Sequence, residues 1–243
     1  MQVMAHRGYS GAYPENTMLA FRKAVEAGCD GIELDVHMSR DRVLMVFHDE
    51  ELSRTTDGQG RLGEQSYAEL RRLNAARLWR DLSPQPIPSF EEYCQWAAEQ
   101  SIFTNIEIKT DHVYYPGIEE KVWDTLVQYG LQERVMFSSF NHFSLLRLQK
   151  LVPETVKLGA LVLPESGPHI NPGDYCREAG FQAFHPALQG LTAEAVQNCH
   201  ARGIEINAWT VNDMAGLEQL HAWGCEGIIT NYPGVAKAWL AGR

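Results

Sequence analysis

Acidic and basic side chains occur inside several short apolar runs of this sequence, where burying a charge costs free energy unless the charge has a partner or a function. One run contains Glu33 and Asp35, and a later run contains Glu107 and Lys109. Residues two apart on a β-strand point to the same face, so the members of each pair would lie side by side. If these faces point inward, the carboxylates repel one another unless a proton or a cation neutralises them.

The carboxylates predict a binding site for one divalent cation, with Glu33, Asp35 and Glu107 as ligands. Carboxylate oxygens and water suit hard ions, so Mg²⁺ is the first candidate, with Ca²⁺ and Mn²⁺ as alternatives. Zinc fits this set less well, because it prefers histidine and cysteine ligands. In a competing, purely structural interpretation, the carboxylates only form ion pairs with Arg7 and Lys109.

Two histidines stand at the ends of apolar runs, His6 after the first and His48 after the third. One histidine near a strand end is usually a hydrogen-bonded structural group, but two beside a metal ion form an acid–base pair for ester hydrolysis. Arg7 and Lys109 add positive charge, which suits an anionic, phosphate-bearing ligand. Trp209 ends a later run, where it forms either an apolar wall of the site or part of the core.

These residues sit on short apolar runs that alternate with helical stretches along the whole chain. The β-type runs are Val3–His6, Gly31–His37, Val43–His48, Thr104–Lys109, Val135–Ser139, Lys157–Val162, Ala183–His185, Glu205–Thr210 and Gly227–Thr230. Consecutive apolar residues are typical of parallel strands whose faces are covered by helices. His37 continues the face of Glu33 and Asp35, but we expect it beyond the strand end and exposed.

One pair of runs breaks the alternation. Only Met38–Arg42 separates the second run from the third, which is too short for a parallel crossover, so the third run is predicted to return antiparallel. Eight strand–helix units then remain in 243 residues, the size of a TIM (β/α)₈ barrel. A doubly wound open sheet is the alternative, although no Gly-x-Gly-x-x-Gly loop follows a strand to support dinucleotide binding.

The stretch after the third run is polar and rich in turns. Leu52–Pro88 contains one predicted short helix, Tyr67–Asn74. We therefore expect one domain over residues 1–243, with a small insertion at about residues 50–88, after the strand that ends at His48-Asp49. The insertion is interpreted as an excursion from the barrel, because it lacks the alternating pattern of a domain of its own.

The composition argues against several other classes of protein. A formal net charge of −10 is unfavourable for nucleic-acid binding, which needs a basic face. No apolar run approaches the roughly 18 residues of a membrane span, and the first residues lack the plan of a signal peptide. The five cysteines are scattered, so reduced thiols in a cytoplasmic protein are expected. Nothing in the pattern predicts an oligomeric state.

Eight short motifs occur in order along the chain. They are His6-Arg7-Gly8, Pro14-Glu15-Asn16-Thr17, Gly31-Ile32-Glu33-Leu34-Asp35-Val36, Val46-Phe47-His48-Asp49, Arg54-Thr55-Thr56-Asp57-Gly58, Glu107-Ile108-Lys109, Trp209-Thr210-Val211-Asn212 and Thr230-Asn231-Tyr232-Pro233. The ordered set resembles the glycerophosphodiester phosphodiesterase family, in its small, soluble bacterial form, over nearly the whole chain. Two positions depart from the family pattern. Asp41-Arg42 stands where the hairpin commonly reads Asp-Gly, and Asn231 replaces an acid.

The resemblance implies a (β/α)₈ barrel with an insertion after the third run, and an enzyme that hydrolyses glycerophosphodiesters. The substrates would be small molecules such as glycerophosphocholine or glycerophosphoethanolamine, which are split to sn-glycerol 3-phosphate and an alcohol. It assigns acid–base catalysis to His6 and His48. It assigns metal binding to the three carboxylates, and phosphate binding to Arg7 and Lys109.

Two functions compete with hydrolysis. A non-catalytic barrel that binds a phosphoester would not need a pair of histidines. A metal-dependent sugar isomerase or aldolase would leave the combination of His6-Arg7 with Glu107-Lys109 unexplained. Within the hydrolytic interpretation, attack on phosphorus by a neighbouring glycerol hydroxyl, through a cyclic phosphate, and direct attack by water both remain open. So does the choice of which histidine is the base.

Overall fold

The computed structural model describes residues 1–163 and 171–243. These residues contain the strands β1 (Gln2–His6), β2 (Gly31–Met38), β3 (Leu44–Val46), β4 (Phe103–Ile108), β5 (Val135–Ser139), β6 (Lys157–Val162), β7 (Ala183–Pro186), β8 (Glu205–Ala208) and β9 (Gly227–Thr230). Their helices are α1 (Met18–Glu26), α2 (Tyr67–Leu70), α3 (Phe90–Ala98), α4 (Ile118–Gln128), α5 (His142–Leu148), α6 (Pro172–Ala179), α7 (Ala193–Ala201), α8 (Met214–Ala222) and α9 (Pro233–Ala241). No helix in these two ranges combines the length and the apolar character needed to cross a membrane.

The strands form one sheet that closes into a barrel. Its order is β1-β9-β8-β7-β6-β5-β4-β2, and the parallel pairing of β1 with β2 completes a ring of eight strands. β3 lies outside the ring and pairs antiparallel with β2, as the short connection predicts. The predicted TIM (β/α)₈ barrel is therefore confirmed, and the open doubly wound sheet is wrong.

Apolar side chains fill the space on both sides of the strands. Outside the ring, strand residues such as Ile106 and Phe137 pack with helix residues such as Phe21. Inside the ring, four apolar residues form a separate cluster: Met4, Met136, Ala183 and Ile229. The charged residues singled out by the sequence are therefore free to gather at the carboxyl ends of the strands, where TIM barrels place their functional groups.

The second strand is longer than the sequence predicts. β3 pairs with its outer end, with His37 opposite Met45, so β2 continues to Met38. His37 is fully buried, and the expectation that it is exposed is wrong. Its Nε2–H donates to the His48 carbonyl oxygen at 2.9 Å, and its Nδ1 accepts from the Tyr115 hydroxyl at 3.1 Å. Burial lowers the pKa of His37 to about 4, so the ring is neutral at neutral pH.

The turn between β2 and β3 contains a non-glycine residue in the left-handed region. Arg42 has φ 65°, a conformation that costs about 1–2 kcal/mol for a residue with a side chain. Its N–H donates to the Ser39 carbonyl at 2.9 Å, and its guanidinium donates to the Pro116 carbonyl at 3.1 Å. Arg42 therefore has a positive φ at the position where the family commonly has glycine. Its side chain also makes a hydrogen bond, to Pro116, that glycine cannot make.

Between β3 and α3 the chain leaves the barrel. This segment contains a 3₁₀ turn, Leu62–Glu64, and the helix α2. α2 is shorter than the predicted helix Tyr67–Asn74, because the backbone continues in turns after Leu70. In these turns the Leu73 N–H donates to the Leu70 carbonyl. An apolar cluster joins the segment to the return arm: Met45, Phe47, Leu52, Leu62, Leu70, Ala75 and Ile87. That residues 1–243 form one domain with an insertion at about residues 50–88 stays a prediction.

Candidate active site

A cavity of about 460 Å³ opens at the carboxyl ends of the barrel strands. Enzymes with this fold place their active sites at this end. Seven of the eight predicted site residues line the cavity: His6, Arg7, Glu33, His48, Glu107, Lys109 and Trp209. The eighth, Asp35, is fully buried beside Glu33 and Glu107. The structure therefore brings the whole predicted set together.

Glu33, Asp35 and Glu107 form one cluster, here called the buried triad. One carboxylate oxygen of each lies within 4.8 Å of the others. The strand register causes this proximity, since Asp35 on β2 pairs directly with Glu107 on β4. Burial raises the pKa of Glu33 well above its usual value, and the two neighbouring carboxylates raise it further. Burial also raises the pKa of Glu107.

Two cationic side chains contact the buried triad. The Lys109 ammonium donates to Glu107 at 2.7 Å, and Arg7 Nε lies 3.5 Å from an Asp35 oxygen. Burial alone would raise the pKa of Asp35, but the charges of His48 and these two cations hold it below its usual range. The ion pairs of the structural interpretation therefore exist. They leave Asp35 Oδ1 without a hydrogen-bond partner among the described residues, so the triad still fits a hard divalent cation.

His6 lies at the end of β1 and keeps one edge toward the cavity. Its Nδ1–H donates to Asn231 Oδ1 at 2.7 Å, which leaves Nε2 as the acceptor of the neutral ring. Desolvation, together with the charge of Arg7, lowers the pKa of His6 to about 3. The ring is therefore neutral at neutral pH. Asn231, which replaces an acid, supplies its hydrogen bond without adding negative charge.

His48 differs from His6 because its partner is a carboxylate. Its Nδ1–H donates to Asp49 Oδ1 at 2.6 Å. Burial alone would raise the pKa of Asp49, but hydrogen bonds from His48 and Arg54 hold it below its usual range. Asp49 places a carboxylate beside His48, whereas the hydrogen-bond partner of His6 is a neutral amide, so the two histidines have different electrostatic surroundings.

A chain of ion pairs joins His48 to Arg7 through the insertion. Arg54 contacts Asp49 and donates two hydrogen bonds to Glu15, at 2.6 and 2.9 Å. Glu15 also accepts from Arg7 Nη1 at 2.9 Å. Neither Glu15 nor Arg54 was predicted as a site residue, because no local pattern indicates that two residues 39 positions apart meet. The motifs that contain them were the signal that pointed to them.

Two residues beside the triad have their backbone in the left-handed region. Arg7 and Asn16 each have φ 54°. The Arg7 N–H donates to Glu33 at 2.9 Å, and the Asn16 side-chain amide donates to Asp35 at 2.8 Å. Backbone strain of this kind persists where the surrounding structure fixes it, and it clusters at functional sites. Both residues orient carboxylates of the triad.

Part of the cavity lining is apolar, and we call it the apolar wall: Phe140, Leu161, Leu163 and Trp209. The Trp209 indole donates to the His185 carbonyl at 2.8 Å, and its ring packs edge-on against Phe140 with 5.5 Å between centroids. These contacts fix the indole at the cavity surface. Trp209 combines the two predicted positions, since it lines the cavity and also packs against the apolar cluster inside the ring.

A second group of ligand-type side chains lies at the edge of the cavity, and we call it the rim cluster: Glu50, Asp111 and His112. One ligand atom of each lies within 4.8 Å of the others, as in the buried triad. Glu50 is half-buried, whereas Asp111 and His112 are exposed. The rim cluster was not predicted as a site. Exposed acidic groups often lie close together without an ion, so we assign no metal to it.

The sequence profile of the glycerophosphoryl diester phosphodiesterase family matches residues 6–235. Two curated relatives are each 37% identical to this chain, the glycerophosphodiester phosphodiesterases of Caldanaerobacter subterraneus subsp. tengcongensis and Bacillus altitudinis. The first alignment covers 95% of this chain and 94% of the relative, and the second covers 96% and 95%.

Solved structures share the same fold over nearly their whole length. A phosphodiesterase of Oleispira antarctica, in complex with the product sn-glycerol-3-phosphate, superimposes with a TM-score of 0.83 and 27% identity, covering 99% of this chain and 97% of that one. The glycerophosphodiester phosphodiesterase of Thermotoga maritima gives a TM-score of 0.77 and 27% identity, covering 100% and 98%.

Proposed function

This chain belongs to the glycerophosphoryl diester phosphodiesterase family, and from this membership we propose that it hydrolyses glycerophosphodiesters to sn-glycerol 3-phosphate and an alcohol. Glycerophosphocholine and glycerophosphoethanolamine are the expected substrates, and the cytoplasm is the expected location. The observation that carries the proposal is the single cavity in which the buried triad, two cations and two histidines meet. The product bound to the Oleispira antarctica relative supports a small-molecule substrate with a glycerol phosphate part.

Glu33, Asp35 and Glu107 are the residues that would hold a divalent cation, with Mg²⁺ as the first candidate and Ca²⁺ or Mn²⁺ as alternatives. Their oxygens lie close together, and Asp35 Oδ1 lacks a hydrogen-bond partner among the described residues. When bound, the cation would neutralise the triad and stabilise negative charge on the phosphoryl oxygens.

Arg7 and Lys109 bind the phosphodiester. Both side chains line the cavity, and each already contacts a carboxylate of the buried triad. Charge-assisted hydrogen bonds from a guanidinium and an ammonium stabilise the negative charge that grows on the non-bridging oxygens. Because both cations are held by ion pairs before the substrate arrives, little reorganisation is needed when it binds.

His6 acts as the general base and His48 as the general acid. The neutral His6 ring takes the proton of the attacking hydroxyl at Nε2, while the new oxygen–phosphorus bond forms. His48, which Asp49 holds through Nδ1, gives its Nε2 proton to the leaving alkoxide when the bond from phosphorus to the alcohol oxygen breaks. The attacking hydroxyl is a neighbouring glycerol hydroxyl or water.

Turnover of glycerophosphocholine, followed by release of choline, tests this function. We expect activity that chelation by EDTA abolishes and that added Mg²⁺, Ca²⁺ or Mn²⁺ restores. Phosphorus NMR of the same reaction shows whether a cyclic phosphate precedes glycerol 3-phosphate. Saturable binding of the substrate without turnover would instead favour a non-catalytic phosphoester-binding barrel. Turnover that is unchanged by EDTA would contradict the metal site.

A further inference from the structure

Two polar side chains at the cavity surface are not used by the proposed reaction. Asn105 on β4 and Ser138 on β5 both line the cavity, and both are fully buried, with 0% of each residue exposed. Asn105 Oδ1 and Nδ2 and Ser138 Oγ have no hydrogen-bond partner within the described part of the chain. Buried polar atoms are nearly always hydrogen-bonded, so unpaired ones facing a cavity indicate a partner that occupies the cavity.

The strand register places both residues next to the buried triad. Asn105 pairs with Glu33 across β2 and β4, and Ser138 pairs with Glu107 across β4 and β5. Asn105 also precedes Glu107 by two positions on the same strand, so the two side chains point to the same face. A substrate held at the triad and at Lys109 would therefore lie beside both unpaired groups.

Other polar groups inside the barrel are arranged differently. His185 and Asn207 bond to each other, with 3.0 Å between Nε2 and Nδ2, and neither lines the cavity. They occupy space that a side chain at Gly159 or Gly227 would fill. Although His185 Nδ1 is also unpaired, its ring lies away from the cavity lining. Asn105 and Ser138 thus differ from His185 and Asn207 in combining unpaired atoms with contact to the cavity.

We propose that Asn105 and Ser138 form a subsite for the free hydroxyl groups of the substrate's glycerol part, an assignment that rests on the proposed function. An amide offers a donor and an acceptor, and a serine hydroxyl offers both. Glycerol hydroxyls also donate and accept, so they satisfy all three atoms. The phosphodiester group lacks a donor and would leave the Asn105 carbonyl oxygen facing negative charge. The subsite therefore selects the hydroxyl-bearing end of the diester.

Parallel kinetics on two substrates test the subsite. One is glycerophosphocholine, and the other is bis(4-nitrophenyl) phosphate, which has no hydroxyl groups and is cleaved only when water attacks. If it is not cleaved, the calorimetric titrations described below replace this comparison. In Ser138→Ala and Asn105→Leu, we expect kcat/KM for glycerophosphocholine to fall about 2- to 10-fold for each lost hydrogen bond, and kcat/KM for the aryl diester to stay unchanged. Because the changes remove unpaired polar atoms, the melting temperature should not fall.

Ser139→Ala is the matched control. Ser139 follows Ser138 on β5, is equally buried, and donates to the Ile108 carbonyl at 2.8 Å. Its removal costs a structural hydrogen bond, so we expect a lower melting temperature and an unchanged ratio of kcat/KM between the two substrates. This pattern is the reverse of that expected for Ser138→Ala.

Calorimetric titrations keep the subsite testable apart from the overall function. If the wild-type protein does not hydrolyse glycerophosphocholine, the proposed function fails, but sn-glycerol 3-phosphate and inorganic phosphate can still be compared as ligands. The subsite predicts that Ser138→Ala weakens binding of glycerol 3-phosphate and leaves binding of phosphate unchanged. Equal losses on both ligands or both substrates, no loss at all, or an altered affinity for Mn²⁺ would overturn it.

Discussion

The cavity carries two clusters of potential metal ligands that differ in one property. In the buried triad and in the rim cluster, three ligand atoms lie within 4.8 Å of one another. The members of the triad are all buried, whereas the rim cluster is half-buried or exposed. The distances between ligand atoms therefore do not distinguish the two clusters, whereas their exposure to water does.

Burial explains why closely spaced carboxylates need a cation in the triad but not in the rim cluster. Two unit charges about 4 Å apart interact by about 1 kcal/mol in water and about 4 kcal/mol in a protein-like medium of dielectric constant about 20. Water screens the rim cluster, so its carboxylates can remain close without an ion. The buried triad is shielded from water, and there burial and the neighbouring carboxylates raise the pKa of Glu33.

Metal binding should distinguish the two clusters most clearly. We expect the wild-type protein to bind one Mn²⁺ and the variant Glu33→Gln/Glu107→Gln to bind none, with a loss of activity of at least about 100-fold. The matched rim variant Glu50→Gln/Asp111→Asn should keep both the ion and the activity. Calorimetric titration with Mn²⁺ and turnover of glycerophosphocholine measure this. Loss of the ion in the rim variant alone would reverse the assignment.

The histidines give the next largest contrast. His48→Ala and His6→Ala should each lower kcat about 10²- to 10⁴-fold, the usual contribution of a general acid or base. His112→Ala removes the imidazole of the rim cluster and should change kcat by less than about 3-fold, since surface charges contribute little. Steady-state kinetics on glycerophosphocholine check this. A deficit in His112→Ala as large as that in His48→Ala would show that the rim takes part in the chemistry.

The ion-pair chain through Arg54 should have an intermediate effect. Arg54→Ala removes the contacts that orient Asp49 and Glu15, and we expect kcat to fall roughly 10-fold with little change in metal affinity. Arg54→Lys should restore only part of the lost kcat, because the lysine ammonium cannot reproduce the paired hydrogen bonds of the planar guanidinium. Arg61→Ala is the control, since Arg61 pairs with Glu51 at 3.5 Å on the exposed surface of the same insertion. Equal kinetics for both alanine variants would refute a positioning role for Arg54.

The smallest expected effect is a pH dependence of stability in the metal-free protein. The pKa of Glu33 is raised in the folded state, so its stabilising contribution is complete below the unfolded value near 4.5 and is lost as pH rises through the folded pKa. The free energy of unfolding should therefore decrease above about pH 4.5, by at most about 1.4 kcal/mol per pH unit for one proton.

Urea unfolding in EDTA at several pH values measures this slope. Glu33→Gln should flatten it, and Glu50→Gln in the rim cluster should leave it as in the wild-type protein. Added Mg²⁺ should also flatten the slope if it occupies the triad. Identical slopes for wild-type protein and Glu33→Gln would show that Glu33 does not take up the proton.

Local patterns in the sequence determined the architecture and the chemistry of the site. The alternation of apolar runs with helices predicts the barrel, because a parallel sheet needs a crossover after each strand. The spacing of Glu33 with Asp35, and of Glu107 with Lys109, predicts shared faces, because side chains alternate along a strand. These inferences depend on near neighbours in the chain, so they did not need the fold.

Only the tertiary structure decided how distant segments complete the site. Barrel closure pairs β1 with β9, which brings Asn231 to His6 across 225 positions. Pairing of β3 with β2 buries His37, against the expectation of exposure. Arg54, between β3 and α3, reaches Glu15, which precedes α1, across 39 positions of the chain. Whether a buried polar atom such as Asn105 Oδ1 is paired depends on every neighbouring strand, and no local pattern in the sequence records that.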